Sequence, residues 1–239
     1  MTMKKITFYT IVFSLLFSLS AEAQIWDREF VSGLNQIDQN NKRQTKFDKY
    51  TLEEGVVGTP YNNQNFLLGN VYRGNALFAT NVALRYNAVA DEMEIKESLE
   101  SADEDTRVLP KDPEIFAKIE NDIYVFVPFQ GKIEDGGYFH VMFEGKKLDL
   151  YKKLIKKVIA GRKASSSFTQ DIPTEFRDES QYFLVTKNGR FFQLPEDKKK
   201  KFDIFGVNKE KVLQYAKDNG LNPSEEKDLL TIIKYYDGV

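Results

Sequence analysis

The sequence predicts an α+β fold, in which an antiparallel β-rich meander is followed by a β-hairpin and two or three C-terminal helices. Three observations support this class. Short β-prone runs separated by turn residues fill the chain from about residue 55 to residue 144. Asn188-Gly189 stands between two apolar runs, which is the strongest short signal for a hairpin. Beyond it, apolar residues recur at helical spacing between residues typical of helix ends.

The meander is predicted from apolar runs that alternate with polar residues or end at turn pairs such as Gly74-Asn75. Asn87–Asp91 is expected to turn the chain, and the acidic stretch Ser98–Asp105 is expected to be a loop. The predicted strands are, in chain order, Phe66–Tyr72, Phe78–Tyr86, the run with Met93 and Ile95, Ile123–Phe129 and Tyr138–Glu144.

Leu148–Ile159 admits two interpretations. Its apolar residues fall in pairs four apart, which favours an amphipathic helix ending at Gly161. The alternative is a long strand paired with Tyr138–Glu144 through a turn at Gly145-Lys146. Periodicity alone favours the helix.

The C-terminal third begins with a serine-rich connector, Ala164–Thr174. The hairpin strands are predicted on either side of Asn188-Gly189. One helix is expected from the cap Asn208 to Gly220, with Val212, Tyr215 and Ala216 facing inward. A second is expected to begin at Asn222-Pro223-Ser224-Glu225, because Asn suits the cap and Pro the first helical position.

The N-terminus has the layout of a secretory signal peptide. Lys4 and Lys5 precede an apolar stretch, Ile6–Leu19, that is shorter than the roughly 20 residues of a membrane-spanning helix. Small residues occupy the cleavage positions before Gln24, so cleavage is expected between Ala23 and Gln24. An uncleaved anchor is the alternative. We therefore expect an extracytoplasmic protein, periplasmic or secreted, without transmembrane insertion.

These signals divide the chain into four regions. Residues 1–23 are the expected signal peptide, and residues 24–54 are a weakly structured segment. Residues 55–163 form the β-rich domain, and residues 164–239 form the hairpin with the C-terminal helical subdomain.

Composition excludes several chemistries. The 239 residues include no Cys and one His, so a disulfide framework, a thiol nucleophile and a zinc site built on Cys or several His are excluded. Lys and Arg number 34 against 36 Asp and Glu, which gives no electrostatic case for nucleic acid. We expect no cofactor and no metal.

Three stretches, Ala83–Lys96, Leu148–Lys153 and the run from Asn188 to Asp237, resemble a group of uncharacterised exported proteins of the Bacteroidota. The likeness extends from about Gly58 to Val239, and a mature chain starting at Gln24 fits that group. The group has no known activity, so no residue inherits a role. The resemblance implies that Leu148–Ile159 is a long strand.

The single histidine is one candidate contact residue. In Tyr138–Glu144, alternation would point Phe139, Val141 and Phe143 to the core and His140 to solvent. No Gly-x-Ser-x-Gly motif accompanies His140, so a catalytic triad is not indicated.

Arg85, Tyr86 and Asn87, at the end of a predicted strand, are further candidate contacts to a ligand or partner. Two carboxylate groups, Asp91/Glu92/Glu94 and Asp103/Glu104/Asp105, could serve a glycoside hydrolase only if the fold set two of them across a cleft. No catalytic residue is assigned.

Charge is uneven along the chain. Residues 91–120 hold eleven acids and four bases, whereas residues 146–163 hold eight bases and one acid. The two stretches could attract an anionic envelope ligand, pair with each other or form a solvated face. We expect a non-catalytic exported module that binds an envelope protein or anionic ligand. The alternatives are a carboxylate-based glycan hydrolase and a structural subunit of a surface or secretion assembly; the oligomeric state stays open.

Overall fold

The computed structural model describes residues 55–129, 132–166 and 168–239. Its strands are β1 (Leu67–Arg73), β2 (Ala76–Asn87), β3 (Glu92–Lys96), β4 (Arg107–Val108), β5 (Ile115–Ile119), β6 (Asp122–Phe129), β7 (Lys132–Glu144), β8 (Leu148–Lys153), β9 (Lys156–Ile159), β10 (Glu175–Asp178), β11 (Gln181–Thr186) and β12 (Phe191–Gln193). The helices are α1 (Lys209–Asp218) and α2 (Glu226–Gly238), preceded by a 3-10 stretch over Lys200–Asn208. These elements belong to one compact unit.

Ten strands form one antiparallel sheet in the order β12-β11-β8-β7-β6-β5-β1-β2-β3-β4, and β9 and β10 form a separate pair. The predicted α+β class is confirmed, because strands dominate and two α-helices follow near the C-terminus. Every predicted strand of the meander is present. The sequence patterns missed β5, which lies between β1 and β6 and therefore joins the two halves of the sheet.

The stretch Leu148–Ile159 is extended, so the helix that periodicity favours is wrong. It forms β8 and β9, separated by Leu154 and Ile155. Leu148, Leu150 and Leu154 are buried while the residues between them are only partly so. Burial alternates along β8, and the chain leaves the strand after Lys153. Together these two features give the same spacing of apolar residues as an amphipathic helix would.

The hairpin at Asn188-Gly189 is confirmed. Gly189 has φ of +78°, a conformation that glycine adopts at low cost, and its N–H donates to the carbonyl of Thr186. The hairpin does not stand apart from the meander, because β11 pairs with β8 over six residues. The sheet therefore continues without interruption into the C-terminal third.

The helices cover the β8–β11 end of the sheet. Their core combines strand leucines with aliphatic residues of both helices and two phenylalanines of the 3-10 stretch: Leu148, Leu150, Leu184, Leu194, Phe202, Phe205, Val212, Ala216, Leu229, Ile232 and Ile233. The predicted cap at Asn208 precedes α1, although its side chain makes no capping hydrogen bond. Helix α2 begins at Glu226, later than predicted: Asn222 accepts a hydrogen bond from the Ser224 N–H as a cap would, but residues 223–224 form a turn and Glu225 precedes the helix.

A second core lies on the same face, where three tyrosine rings meet. Tyr86 of β2 lies 5.5 Å from Tyr124 of β6 and 6.1 Å from Tyr138 of β7, measured between ring centroids. Each of the three is at most 2% exposed. Tyr138 also donates from its hydroxyl to the carbonyl of Pro110, beyond β4, so the sheet curls around these rings.

Residues 55–66 tie the large sheet to the β9–β10 pair. Val57 forms a parallel bridge with Glu175, and Tyr61 forms an antiparallel bridge with Asn87. The expected signal peptide and the 24–54 segment lie outside the described residues. Within the described part of the chain, no helix is long and apolar enough to cross a membrane.

Candidate functional site

Arg85 and Glu94 form a buried ion pair between β2 and β3, where they are direct register partners. Arg85 donates from Nε (3.0 Å) and Nη2 (2.7 Å) to Oε2 of Glu94, whose side chain is fully buried. Asn87 adds a long contact of 3.5 Å from Nδ2 to Oε1. A carboxylate removed from water requires such partners, so Glu94 and Arg85 stabilise each other's charge.

The Arg85 guanidinium is held between two aromatic rings. Its Cζ atom lies 3.6 Å from the ring centroid of Tyr61 and 4.0 Å from that of Phe66. Nη1 also donates to the main-chain carbonyl of Gln64 at 3.3 Å. Because cation–π contacts and hydrogen bonds act from different directions, the guanidinium has one fixed orientation.

A pocket of about 380 Å³ lies beside Arg85. Its lining includes Gly58, Pro60, Tyr61, Gln64, Asn65 and Phe176, and Arg85 is the one charged residue in the described part of the lining. Lys156 fixes one wall by donating to the carbonyls of Thr59 (3.0 Å) and Tyr61 (2.7 Å). Burial lowers the pKa of Lys156, opposed by the charge of Asp178. Hydrogen bonds from Lys156 thus fix the backbone of residues 59–61 on one side of the pocket, and the Arg85 guanidinium has a fixed orientation on another.

The structure separates Tyr86 and Asn87 from this pocket, although both follow Arg85 in sequence. Tyr86 points to the opposite face of the sheet and donates to Oδ1 of Asp91 at 2.6 Å. Burial, followed by the charge of Asp91, raises the pKa of Tyr86 well above its usual value. Asn87 accepts hydrogen bonds from the N–H groups of Val89 and Ala90, which closes the β2–β3 turn. Both residues support the fold.

Asp91 is likewise bound by protein groups. Its carboxylate lies 2.7 Å from Nζ of Lys153 and accepts a hydrogen bond of 3.1 Å from the N–H of Tyr138. Burial lowers the pKa of Lys153, and the charge of Asp91 opposes that effect. In the acidic loop, Asp103 pairs with Lys96 at 3.1 Å. Three of the candidate carboxylates therefore have a cationic partner.

His140 faces the core side of the sheet, so the prediction that it points to solvent is wrong. Its ring stacks on Tyr124 at 5.3 Å, and Nε2 lies 3.1 Å from Oδ1 of Asp122. Only 18% of the side chain is exposed. Period-two alternation separates the two faces of β7 correctly but does not tell which one is the core, because both faces carry aromatic residues.

His140 belongs to a polar row that crosses four strands at one level. Register pairs join Tyr124 to His140, His140 to Lys152 and Lys152 to Tyr182. Glu226, at the start of α2, accepts hydrogen bonds from Lys152 (2.7 Å) and Tyr182 (2.8 Å). Burial would raise the pKa of Glu226, but these hydrogen bonds outweigh it and lower the pKa. The row docks α2 on the sheet.

Four of the eight bases in the stretch 146–163 form ion pairs with acids from other parts of the chain. Lys152 pairs with Glu226, Lys153 with Asp91, Lys157 with Glu179 and Lys163 with Asp171. The Lys153–Asp91 pair joins the basic stretch to the acidic one. Mutual pairing of the two stretches, one of the three alternatives for these charges, thus accounts for one of the four ion pairs.

The outward face of the sheet carries an unexpected apolar band. One register line joins Leu77, Tyr72, Phe116, Val125 and Phe139 across β2, β1, β5, β6 and β7. Phe139 continues the band into an aromatic cluster with Tyr151, Phe183 and Phe191, at centroid distances of 6.4, 5.5 and 5.3 Å. We use "apolar band" for these eight residues. Leu77 is 43% exposed and the others are partly exposed.

Sequence reasoning missed the band, although a signal was present. Every residue of Ile123–Phe129 is apolar, and a strand with one solvated face would alternate instead. Alternate residues Tyr124 and Phe126 fill the core, which leaves Ile123, Val125 and Val127 on the outward face. An unbroken apolar run in an antiparallel sheet therefore indicates that both faces are apolar.

The fold and its surfaces define an antiparallel β-sheet protein with a helical layer at one end and an apolar outward face. Comparison of the chain with family models, with curated proteins and with solved structures finds no match.

Proposed function

We propose that this protein is a non-catalytic, exported binding module whose apolar band takes a protein partner of the cell envelope. The band is the observation that carries the proposal. A continuous row of eight partly exposed apolar residues is typical of a surface that binds a partner, because its contact with water is unfavourable.

The composition of the band favours a protein over a small ligand. Interfaces between proteins are enriched in Tyr and Phe at the centre and carry charges at the rim. The band supplies Tyr72, Phe116 and Phe139 at its centre. Lys118, the exposed lysine two residues after Phe116 on β5, lies on the same face and supplies a charge at the edge of the band.

A carboxylate-based hydrolase is less well supported. Such an enzyme needs two carboxyl groups facing substrate across a cleft. Asp91 and Glu94 instead contact Lys153 and Arg85, and Glu94 is fully buried. A carboxylate already neutralised by a fixed cation is a poor proton donor or nucleophile. A structural subunit remains the alternative in which the partner is another copy or a neighbouring assembly component.

Export rests on the N-terminal sequence alone. The charged pair Lys4-Lys5, the apolar stretch and the small residues before Gln24 support cleavage after Ala23. The resemblance to exported proteins of the Bacteroidota agrees with it. We therefore place the function in the periplasm or outside the cell, and mass spectrometry of the secreted chain should find Gln24 at the N-terminus.

The test is a crosslinked pull-down from envelope extract with the mature chain. Leu77→Glu puts a charge on the band, and Val207→Glu, at a fully exposed position in the 3-10 stretch, is the matched control. We expect one stoichiometric protein that Val207→Glu retains and Leu77→Glu loses. Crosslinks should involve Lys118, the exposed lysine of β5, beside the band.

Two results would contradict the proposal. Capture that survives Leu77→Glu, or crosslinks confined to the helical end, would show that the partner binds elsewhere. Failure to capture any protein would remove the support for a protein partner. Both variants must first show unchanged circular dichroism and thermal unfolding.

A further inference from the structure

The pocket beside Arg85 has a chemistry of its own, distinct from that of the apolar band. Among the residues that the structure describes, its lining contains one cation, two side-chain amides and aromatic side chains, and no carboxylate. Small-molecule sites combine an apolar lining with a few fixed polar groups, in volumes of roughly 300–1,000 Å³. The pocket fits that description at its lower end, with about 380 Å³.

Arg85 retains hydrogen-bonding capacity toward the pocket. A guanidinium has five N–H donors, one on Nε and two on each terminal nitrogen. Glu94 accepts from Nε and Nη2, and the Gln64 carbonyl accepts from Nη1. Among the described residues, one N–H on Nη1 and one on Nη2 therefore have no partner. Two donors on neighbouring nitrogens match the two oxygens of a carboxylate.

The remaining lining suits a ring that carries hydroxyl groups. The side-chain amides of Gln64 and Asn65 make no hydrogen bond to the described part of the chain and can both donate and accept. Pro60, Tyr61 and Phe176 form the apolar base of the pocket; they are themselves buried, and Arg85 covers one face of the Tyr61 ring. The exposed amides of Gln64 and Asn65 can bind the hydroxyl groups of a ring that lies on this base.

We propose that this pocket binds a sugar ring bearing a carboxylate, with Arg85 contacting the carboxylate. Arg85 is already oriented by Glu94, Tyr61 and Phe66, so binding costs little ordering of the side chain. The ligand can be a free uronic acid or the end of an acidic envelope polysaccharide, since both present the same group. This site is separate from the apolar band and does not depend on the proposed protein partner.

The experiment is a titration of the isotope-labelled mature chain, followed by amide resonances. The probes are glucuronate, glucose as the ring without a carboxylate, inorganic phosphate, and an oligosaccharide ending in glucuronate. We expect glucuronate to shift the resonances of Gly58, Tyr61 and Gln64 with Kd on the order of 1 mM. Glucose and phosphate should each bind at least about tenfold more weakly. Tighter binding of the oligosaccharide would identify a polysaccharide end as the source, and equal binding would identify the free sugar.

Variants locate the site. Asn65→Trp fills the pocket from an exposed position, and Asn75→Trp, in the exposed β1–β2 turn, is the control. Glucuronate binding should be lost in Asn65→Trp and kept in Asn75→Trp and Leu77→Glu. Equal binding of glucose or phosphate, no saturable shift with glucuronate, or binding retained in Asn65→Trp would each overturn the proposal.

Discussion

The ammonium of Lys153 lies 2.7 Å from the carboxylate of Asp91, which joins the end of β8 to the turn between β2 and β3. Lys153 also donates to the carbonyl of Tyr138 at 3.0 Å, and Asp91 accepts from the Tyr138 N–H. Gly137 lies beside the pair, and a Cβ there would collide with both charged groups. The ion pair therefore joins β8 to the β2–β3 turn, two parts of the curved sheet that no strand pairing connects.

Asp91→Asn should destabilise the protein. The substitution removes the charge that compensates Lys153, and the two side chains are only 23% and 17% exposed. We expect the free energy of unfolding, from urea denaturation, to fall by about 1–3 kcal/mol. Lys153→Met should recover part of this loss in the double variant.

The control is Asp203→Asn, which removes a more exposed pair with Lys209. Exposed pairs contribute little, so its effect should stay below about 0.5 kcal/mol. An Asp91→Asn effect no larger than that of the control would contradict a stabilising role for the Lys153–Asp91 pair.

Replacement of His140 tests its inward orientation. His140→Ala removes the stacking on Tyr124 and leaves a space beside Lys152, so the unfolding free energy should fall by about 1–2 kcal/mol. His140→Phe keeps the ring and should lose less than half as much. Asp122 is 48% exposed and remains solvated without its partner. If urea denaturation gives both variants the wild-type stability, His140 faces solvent, as the sequence pattern suggested.

The sequence predicts the elements that depend on local signals. Asn188-Gly189 identifies the hairpin because only a few residue types accept its backbone conformation. The helices follow from apolar spacing and end residues, with an error of a few residues at the start of α2. The antiparallel sheet is also predicted from local signals, because short strands separated by tight turns pair with their neighbours in the chain.

The candidate site could be predicted only in part. Arg85 was identified from its position, but its pocket is built by residues 55–66 and Phe176, which are distant in sequence. The orientation of His140 could not be predicted, because period-two alternation separates two faces without telling which one is the core when both are aromatic. Asp91 and Glu94 are neutralised by residues that are distant in sequence or on the neighbouring strand. Without the fold, the two acids cannot be told apart from exposed surface acids.

Alkaline pH should unfold the protein through its tyrosine core. Burial raises the pKa of Tyr86, Tyr124 and Tyr138, with a further contribution from the charge of Asp91 at Tyr86 and Tyr138 and of Asp122 at Tyr124. Above the usual value of 10.0, the unfolded chain loses these protons and the folded chain keeps them. The contribution of these tyrosines to stability is therefore constant below that pH and falls above it, by up to about 1.4 kcal/mol per pH unit for each tyrosine.

Urea denaturation over the alkaline range, with tyrosinate absorbance as the second signal, measures this fall. Lys153 acts in the opposite direction, because its lowered pKa makes its own contribution to stability rise with pH. That rise ends at the unfolded value of 10.5, so Lys153→Met should remove the rise below it and make the fall begin more steeply. Ionisation of all three tyrosines while the protein remains folded would contradict their burial.

Acid pH should weaken the docking of α2 through Glu226. The pKa of Glu226 is lowered because hydrogen bonds from Lys152 and Tyr182 outweigh the effect of burial. Its contribution to stability is thus present above the unfolded value of 4.5 and lost as pH falls through the folded pKa. Glu226→Gln should reduce the unfolding free energy by about 0.5–1 kcal/mol at neutral pH and have no effect below both pKa values.

Hydrogen exchange in α2 should accelerate in the Glu226→Gln variant at neutral pH, because the helix loses its charged contact with β8 and β11. Glu225→Gln, which changes the neighbouring carboxylate without a contact to Lys152, should leave that exchange rate unchanged; equal acceleration in both variants would assign the effect to the helix end and not to the polar row.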